Sequence, residues 1–247
     1  MSSRFLDLRQ RMESTQMAPK EYRLHTPLSK EDIERLELGD IVYLSGKLFT
    51  IRDWSHQRIA EYWKEGKIDE VPFGLKDLAI LHCGPIIRQV AENHWEPVSV
   101  GPTSSSRFSP FVAPLLRAMG PRLIVGKGTL TKEAIAGLVE CGAAFVQGVG
   151  GCAALYGTKI KRVANRYWPE FGMPDTVWEF DVEDFGPLSV EIDCRGNCSY
   201  ERLREVVLKD NLARIYEELG LDPESDFTWW PREPAGTKKA LKYATTY

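Results

Sequence analysis

Short apolar segments alternate with helix-like segments through the middle of this chain, and this alternation constrains the fold more than any other feature. Residues 78–83, 122–125 and 143–147 are apolar runs typical of buried strands. Residues 109–119 and 131–140 lie between them and are predicted as helices, the first of which is closed by a glycine. Strands separated by helices favour parallel pairing in one sheet. Together with the paired strands described next, this alternation predicts an α/β fold with a mixed sheet flanked by helices.

The segments on either side follow other patterns. Residues 41–51 are rich in β-formers, and a helix is predicted from Ser55 to about Lys64. A further helix is predicted at residues 151–165 because it continues the alternation of strands and helices. Residues 177–182 and 188–192 are predicted to be two paired strands, which would make the sheet mixed.

Three parts are expected along the chain. Residues 1–27 are predicted to be a polar N-terminal arm, and residues 28–220 the folded domain. That domain is expected to end in a helix at residues 200–219 with an apolar stripe. Residues 221–247 are predicted to be a C-terminal tail. Because the paired Trp229-Trp230 would seldom stay in water, we expect the tail to wrap over the body or a partner.

Composition excludes several classes of function. A formal net charge of -3 provides no general attraction to nucleic acid or to anionic lipid. The apolar runs are far shorter than the roughly 20 residues that a membrane helix needs, and the first 20 residues lack the pattern of a secretory signal. Five cysteines at irregular spacing predict reduced thiols. A cytoplasmic location is expected by default.

Hydroxyl and cationic side chains are concentrated in two glycine-bounded segments. The first, residues 101–108, contains Thr103, Ser104 and Arg107; the second is Gly126-Lys127-Gly128. An Arg fork matches a carboxylate bidentately, Lys adds a compact charge, and glycines let backbone N–H groups approach an anion. This chemistry predicts a site for a substrate that carries carboxylates.

Taken alone, each of these residues also has an ordinary structural interpretation. Arg52 and Asp53 would form a common surface ion pair, and Lys127 would be a solvated loop lysine. Hydroxyls near Thr103 would cap the following helix. His56 would be a helix-surface or core residue, and His82 at a strand end would be structural.

Two nucleotide motifs are only partly matched. Gly126-Lys127-Gly128 resembles the end of a P-loop, but that loop needs Ser or Thr directly after the lysine. Residues 148–153 fit the dinucleotide fingerprint, yet no acidic residue ends a clear strand about 20 positions later. Cys194 and Cys198 resemble half of a metal site, but no second Cys or His pair accompanies them. No metal ligands are assigned to this chain.

Six blocks occur together in the order typical of one enzyme family. The blocks are Arg52-Asp53-Trp-Ser-His56-Gln-Arg58, His82-Cys-Gly84-Pro85, Gly101-Pro-Thr103-Ser-Ser-Ser-Arg107, Gly126-Lys127-Gly128, Val149-Gly-Gly-Cys-Ala-Ala-Leu155 and Val182-Glu-Asp-Phe185. Over residues 28–200 the chain resembles the β subunit, or C-terminal domain, of iron–sulfur-dependent class I fumarases and L(+)-tartrate dehydratases.

The resemblance implies a swivelling β/β/α domain that works with a second subunit. In that family an α-type subunit binds a [4Fe–4S] cluster through its own cysteines, so the cluster is expected on the partner and not on this chain. The assembly is expected to be a heterodimer or heterotetramer, with the β-type catalytic domain here at residues 28–220.

The resemblance also implies roles for individual residues. Arg52, Arg107 and Lys127 would bind the dicarboxylate, and Thr103 would lie at the carbon that exchanges a proton. Because a hydroxyl alone is a poor base, Asp53 and His56 are candidate proton relays. The remaining substrate-binding positions are Ser104, Gly126 and Gly128.

The implied reaction is the reversible dehydration of a 2-hydroxy-dicarboxylate. Malate to fumarate is expected first and tartrate to oxaloacetate second, since one substituent changes discrimination by only about 1–3 kcal/mol. Two alternatives stay open: a non-catalytic subunit for anion binding or assembly, and a dinucleotide-dependent oxidoreductase.

Overall fold

The structure is a computed structural model that describes residues 18–92, 94–205 and 209–220. Its strands are β1 (Glu21–His25), β2 (Ile41–Thr50), β3 (Ala79–Leu81), β4 (Ile86–Ala91), β5 (His94–Ser99), β6 (Leu123–Gly126), β7 (Ala144–Gly148), β8 (Ile160–Tyr167) and β9 (Val177–Ile192). Its α-helices are α1 (Lys30–Glu34), α2 (Asp53–Lys64), α3 (Ser109–Met119), α4 (Lys132–Cys141), α5 (Ala153–Gly157), α6 (Ser199–Leu203) and α7 (Lys209–Leu219).

Five strands close into a barrel. Strands β2, β3, β6 and β7 pair in parallel in that order. Strand β9 then runs antiparallel to both β7 and β2 and so joins the two ends of the row. Strand β1 is added beside β2, and β8 beside β9. The predicted α/β fold with a mixed sheet and flanking helices is confirmed.

Strand β9 is one long strand where the sequence predicted two. The segment between residues 182 and 188 contains an acidic pair and a Gly-Pro step, which are signals for a turn. Asp184 does adopt a positive φ of 49° there, and the register against β2 shifts twice. Pairing with β2 nevertheless continues through this irregular stretch, because Phe185 and Leu188 stay buried in the barrel. Tertiary pairing thus overrides the local turn signal.

Strand β1 lies within residues 1–27, the range predicted as an arm. Its residues pair in parallel with the first half of β2, from Glu21 opposite Ile41 to His25 opposite Ser45. Leu24 is buried in the core. Because β1 has only five residues and a single buried side chain, its sequence carries a weak strand pattern.

The helix predicted at residues 151–165 is wrong. Helix α5 ends at Gly157, and β8 follows and pairs antiparallel with β9. Ion pairs across the two strands join Lys161 to Glu183 at 2.7 Å and Arg162 to Asp181 at 2.6 Å. Cross-strand pairs of this kind become visible only when the partner strand is known.

Two apolar clusters support the barrel from inside and outside. Side chains such as Leu44, Val146 and Val190 fill the interior. Alternate residues such as Phe145 point outwards under α2, α3 and α4. Helices α3 and α4 pack closely, because a Cβ added to Gly137 would lie 2.5 Å from Ala113 Cβ. This cover leaves the barrel rim that carries the ends of β2, β3, β6 and β7 free to build a site.

The described residues after Ser199 belong to a second compact unit. The helix predicted at residues 200–219 corresponds to α6 and α7, which are divided by residues outside the described ranges. Arg214 and Glu218 form an i,i+4 ion pair of 3.3 Å on α7. The prediction for the tail, residues 221–247, falls outside the described residues. Within the part of the chain that the structure describes, no helix is long and apolar enough to cross a membrane.

The contact between α3 and α4 yields a stability prediction. Gly137→Ala adds a methyl group that lies 2.5 Å from Ala113 Cβ and 2.9 Å from its Cα. We expect this overpacking, about 1–3 kcal/mol, to exceed the gain in helix propensity of about 1 kcal/mol. The net result is a lower urea midpoint. Gly74→Ala is the control for the added methyl group itself, because that methyl meets no atom within 4 Å and position 74 lies outside the helices. Equal midpoints for the two variants would contradict the predicted contact.

Candidate active site

The ends of the four parallel strands gather the candidate residues at one rim of the barrel. Arg52 follows β2, His82 follows β3 and Lys127 follows β6. The segment that contains Thr103 crosses these ends and is fixed by backbone contacts. The Thr103 N–H donates to the His82 carbonyl at 2.7 Å, and Ser104 forms a β-bridge with Lys127. The carboxyl ends of parallel strands are the usual position for a site in α/β folds.

Ser105 joins the hydroxyl-rich segment to the end of β6. Its N–H donates to the Lys127 carbonyl at 2.9 Å, and its Oγ accepts the Lys127 N–H at 3.2 Å. Gly126 makes this possible, because a Cβ at that position would overlap Ser105 Oγ. Gly128 has a φ of 80°, and its N–H donates to Gln147 Oε1 at 2.8 Å. The two glycines predicted to bind substrate therefore shape the backbone around Lys127.

Asp53 holds both candidate arginines. Arg107 donates to it in a fork, from Nε to Oδ1 at 3.1 Å and from Nη2 to Oδ2 at 3.2 Å. Arg52 Nε lies 3.2 Å from Asp53 Oδ2 in an ion pair. Gly84 gives Arg52 room, because a Cβ there would overlap Nη1. Two guanidinium groups thus share one carboxylate.

Other polar groups of the site have side chains without a partner among the described residues. Within the described ranges, the Lys127 ammonium has no ion pair, and the Thr103 and Ser104 hydroxyls make no hydrogen bond. The charges of Arg52, Arg107, Asp53 and Lys127 sum to +2. An excess of two positive charges suits a ligand with two carboxylates.

A cavity of about 340 Å³ opens beside Lys127. The aliphatic part of Lys127 lies along Gly150, where an added Cβ would be 3.5 Å from Lys127 Cδ. Tyr156 fixes the far wall, since its hydroxyl accepts the Val149 N–H and donates to the Pro187 carbonyl, each at 2.9 Å. The residues lining the cavity are Ile41, Lys127, Gln147, Gly148, Val149, Gly150, Pro187 and Ser189.

Two buried histidines lie beneath the hydroxyl-rich segment. His56 is 1% exposed and His82 is not exposed. Their Nε2 atoms lie 3.2 Å apart, and His82 Nδ1 lies 2.9 Å from Ser105 Oγ. His56 stacks on Phe108 and on Phe111, with ring centroids 5.2 and 5.8 Å away. Its Nδ1 has no hydrogen-bond partner among the described residues.

Burial keeps both histidines uncharged. It lowers the pKa of His56 from 6.5 to about 3. Burial also lowers the pKa of His82 well below its usual range, and electrostatic interaction with His56 and with the Arg107 guanidinium acts in the same direction. Sequence reasoning selected His56 but treated His82 as structural. The position of His82 at the end of β3, beside three other strand ends of the site, is the signal that would have identified it.

The cysteines form no metal site. Among residues 18–92, 94–205 and 209–220, no three His, Cys, Asp or Glu side chains converge to hold a metal ion. Cys83 is buried, and burial raises its pKa to about 12. Cys198 Sγ contacts Thr129 Oγ1 at 3.4 Å. The described residues therefore provide no ligand set for an iron–sulfur cluster.

Comparison with known proteins identifies related chains. The profile of the family described as Fumarase C-terminus matches residues 3–203, which includes most of the predicted arm. The L(+)-tartrate dehydratase subunit beta of Escherichia coli K12 is 38% identical over 174 residues, 70% of this chain and 84% of that protein.

Two further relatives extend the comparison. A Methanocaldococcus jannaschii protein provisionally named L(+)-tartrate dehydratase subunit beta is 39% identical over 193 residues, 78% of this chain and 93% of the relative. A Geobacillus stearothermophilus protein provisionally named fumarate hydratase class I is 30% identical over 186 residues, 75% of this chain but 35% of its own length.

The buried histidines predict a pH dependence of stability. Since the pKa of His56 is lower in the folded chain than in the unfolded chain, its contribution is full above pH 6.5 and is lost as the pH falls towards 3. We expect the free energy of unfolding to fall by up to about 1.4 kcal/mol per pH unit for this residue. In the His56→Phe variant, this pH-dependent part of the free energy of unfolding disappears. Urea unfolding of both proteins at pH 7, 6 and 5 tests this, and parallel pH curves would contradict it.

Proposed function

This chain belongs to the Fumarase C-terminus family, and we propose that it is the β-type subunit of a hydro-lyase that reversibly dehydrates a 2-hydroxy-dicarboxylate. The relatives at 38–39% identity are named for L(+)-tartrate, and one at 30% identity for fumarate. Tartrate to oxaloacetate is therefore the first reaction to assay, and malate to fumarate the second.

The observation that carries the proposal is the meeting of three cations and a free hydroxyl at one barrel rim. A dicarboxylate loses hydration at both ends when it binds, and each charge then needs a partner. Those partners are Lys127, Arg52 and Arg107. Because Asp53 offsets one of their three positive charges, the net charge of the cluster is +2. The same cations would stabilise the extra negative charge that develops on a carboxylate as the adjacent carbon loses its proton.

Asp53 has a place in this proposal as the residue that orients the arginines. Its fork to Arg107 uses two of the five guanidinium N–H donors and leaves three for substrate. A fixed guanidinium loses less side-chain entropy when substrate binds. Asp53 and His56 were both candidate relays. His56 is buried against His82, whereas the exposed Asp53 carboxylate holds both arginines, so Asp53 is the better placed of the two.

Thr103 is proposed to lie at the proton-transfer position. Its hydroxyl is free within the described residues, and its N–H is held by the His82 carbonyl. A hydroxyl needs a charged neighbour to act as a base. We infer that a carboxylate from the partner subunit completes this function.

The proposed partner is an α-type subunit that carries the [4Fe–4S] cluster. Support comes from the exposure of the charged groups, since the Arg107 and Asp53 side chains are 42% and 45% exposed. Charges left this open to water bind a small anion weakly, because water screens them. A second subunit that covers the rim would exclude that water. We expect the isolated chain to be inactive.

The dinucleotide alternative has little support. A dinucleotide site of the fingerprint type needs a strand, a full helix and a second parallel strand. After β7 the chain has only the five-residue α5, and the next strand, β8, pairs antiparallel with β9. The second alternative, a non-catalytic subunit for anion binding or assembly, is separated from the hydro-lyase by turnover.

The first test compares two matched arginine variants in the complex. Arg107→Gln, co-expressed anaerobically with the cluster-bearing subunit, should reduce kcat/KM for tartrate or malate at least about 100-fold, because a buried carboxylate of the substrate loses its charged partner. Arg117→Gln is the control, since Arg117 forms a similar fork with Glu140 on α3 and α4. Equal activity of the two variants would refute the clamp, and turnover by the isolated wild-type chain would refute the shared site.

A second test concerns the proton-transfer position. Thr103→Val preserves the shape of the side chain but removes the hydroxyl, and we expect kcat to fall about 10²- to 10⁴-fold. Thr103→Ser should retain part of the activity. Thr158→Val removes a hydroxyl that donates to the Leu155 carbonyl at 2.7 Å and serves as control. Steady-state rates on both acids provide the comparison, and a fully active Thr103→Val variant would remove Thr103 from the mechanism.

A further inference from the structure

We propose that Ser105, held by the buried pair His56 and His82, is a positioning residue that sets Thr103 and Lys127 in register with each other. The inference rests on the proposed function for its catalytic meaning. Direct contact with a substrate is excluded for Ser105, His56 and His82, since each of them is at most 1% exposed.

Ser105 is the point at which two parts of the site are joined. It binds both backbone groups of Lys127, through its own N–H at 2.9 Å and its Oγ at 3.2 Å. It lies two residues from Thr103 in the same tight segment. A rotation of the Ser105 side chain would break the Oγ contact and allow that segment to move relative to the end of β6.

His82 binds the segment that carries Thr103 at two points. Its backbone carbonyl accepts the Thr103 N–H at 2.7 Å, and its ring Nδ1 lies 2.9 Å from Ser105 Oγ. Its own N–H donates to the Val125 carbonyl at 2.9 Å on β6. The orientation of one imidazole ring therefore determines where the Ser105 hydroxyl can point.

Contact distances favour one direction for the hydrogen bonds of this network. The single Ser105 hydroxyl proton has two acceptors, His82 Nδ1 at 2.9 Å and the Thr103 carbonyl at 3.5 Å, and the shorter contact is favoured. With Nδ1 accepting, His82 carries its proton on Nε2 and donates it to His56 Nε2. His56 then carries its proton on Nδ1.

Side chains that only filled space in the core would not need these polar atoms. His56 Nδ1 is buried without a hydrogen-bond partner among the described residues, although Phe108 and Phe111 pack on its ring. An apolar ring in that place would leave no unsatisfied atom. Position 126 is also a glycine, and a side chain there would overlap the Ser105 hydroxyl. Both features indicate that the position of this hydroxyl is what the network provides.

The test compares Ser105→Ala with Ser109→Ala in the full-length chain. Ser109 is also buried, and its Oγ accepts the Thr131 N–H at 3.1 Å, so each variant loses one bond from a backbone N–H to a serine Oγ. Only Ser105→Ala also loses the contact with His82. Histidine ring ¹⁵N spectra of the wild type should show His82 protonated on Nε2 and His56 on Nδ1. Ser105→Ala should change the His82 spectrum and speed exchange of the Lys127 amide about fivefold or more, while Ser109→Ala changes neither.

Turnover of the complex supplies the second readout. Ser105→Ala should lower kcat roughly 10- to 100-fold with a smaller change in KM, because Thr103 is displaced from the reacting carbon. Ser109→Ala should retain wild-type kcat. His82→Asn, whose amide keeps a group near Nδ1, should recover much of the rate that His82→Leu loses, and this pair decides the matter if Ser105→Ala does not fold.

The outcomes separate the two proposals. Unchanged His82 and Lys127 signals in Ser105→Ala would overturn the positioning network, as would equal kcat in the two serine variants. A wild-type complex without turnover on either acid would instead defeat the proposed function, and the ring-nitrogen and amide-exchange measurements would still decide whether Ser105 links His82 to Lys127.

Discussion

Closure of the barrel by β9 is the interaction on which the rest of the structure depends. Because β9 runs antiparallel to both β2 and β7, it joins the two ends of a row of parallel strands. The four parallel strands must then end at the same rim. Arg52, His82 and Lys127 each follow one of these strands, so closure brings together residues that are up to 75 positions apart, from 52 to 127. If the barrel did not close, the six sequence blocks would still mark the family, but their residues would not meet in one site.

The rim combines an open layer of charge with a dry layer beneath it. Above, Asp53 holds two guanidinium groups in partial contact with water. Below, two neutral histidines and Ser105 lie among Phe108 and Phe111. A charged layer binds anions strongly only when water is removed, whereas a buried neutral network holds its geometry by hydrogen bonds whose strength does not depend on salt. The division suits a subunit that provides a preformed half of a site and relies on a partner to cover it.

Much of the fold was readable from local pattern, and the failures have a common cause. Helices α2, α3 and α4 and strands β3, β6 and β7 were predicted because their apolar periodicity and glycine ends are local signals. Strand β8 was mistaken for a helix, and β9 was split in two. Both depend on pairing with other strands, and the largely exposed β8 carries little apolar periodicity of its own. In the site, the exposed cations and hydroxyls were selected from sequence, whereas His82 and Ser105 were not, because burial gives them their importance.

The sequence by itself determined the class of fold and the family, and it supplied the groups on which the proposed ligand rests, since strand and helix periods, ordered motifs and the local concentration of Arg, Lys and hydroxyls are properties of the chain read in order. Only the tertiary structure decided which of those groups act together. It paired Asp53 with both arginines, fastened Lys127 to Ser105 and placed His56 against His82. The physical reason is that hydrogen bonds and ion pairs depend on distance in space, which strand order and barrel closure set and which spacing along the chain does not.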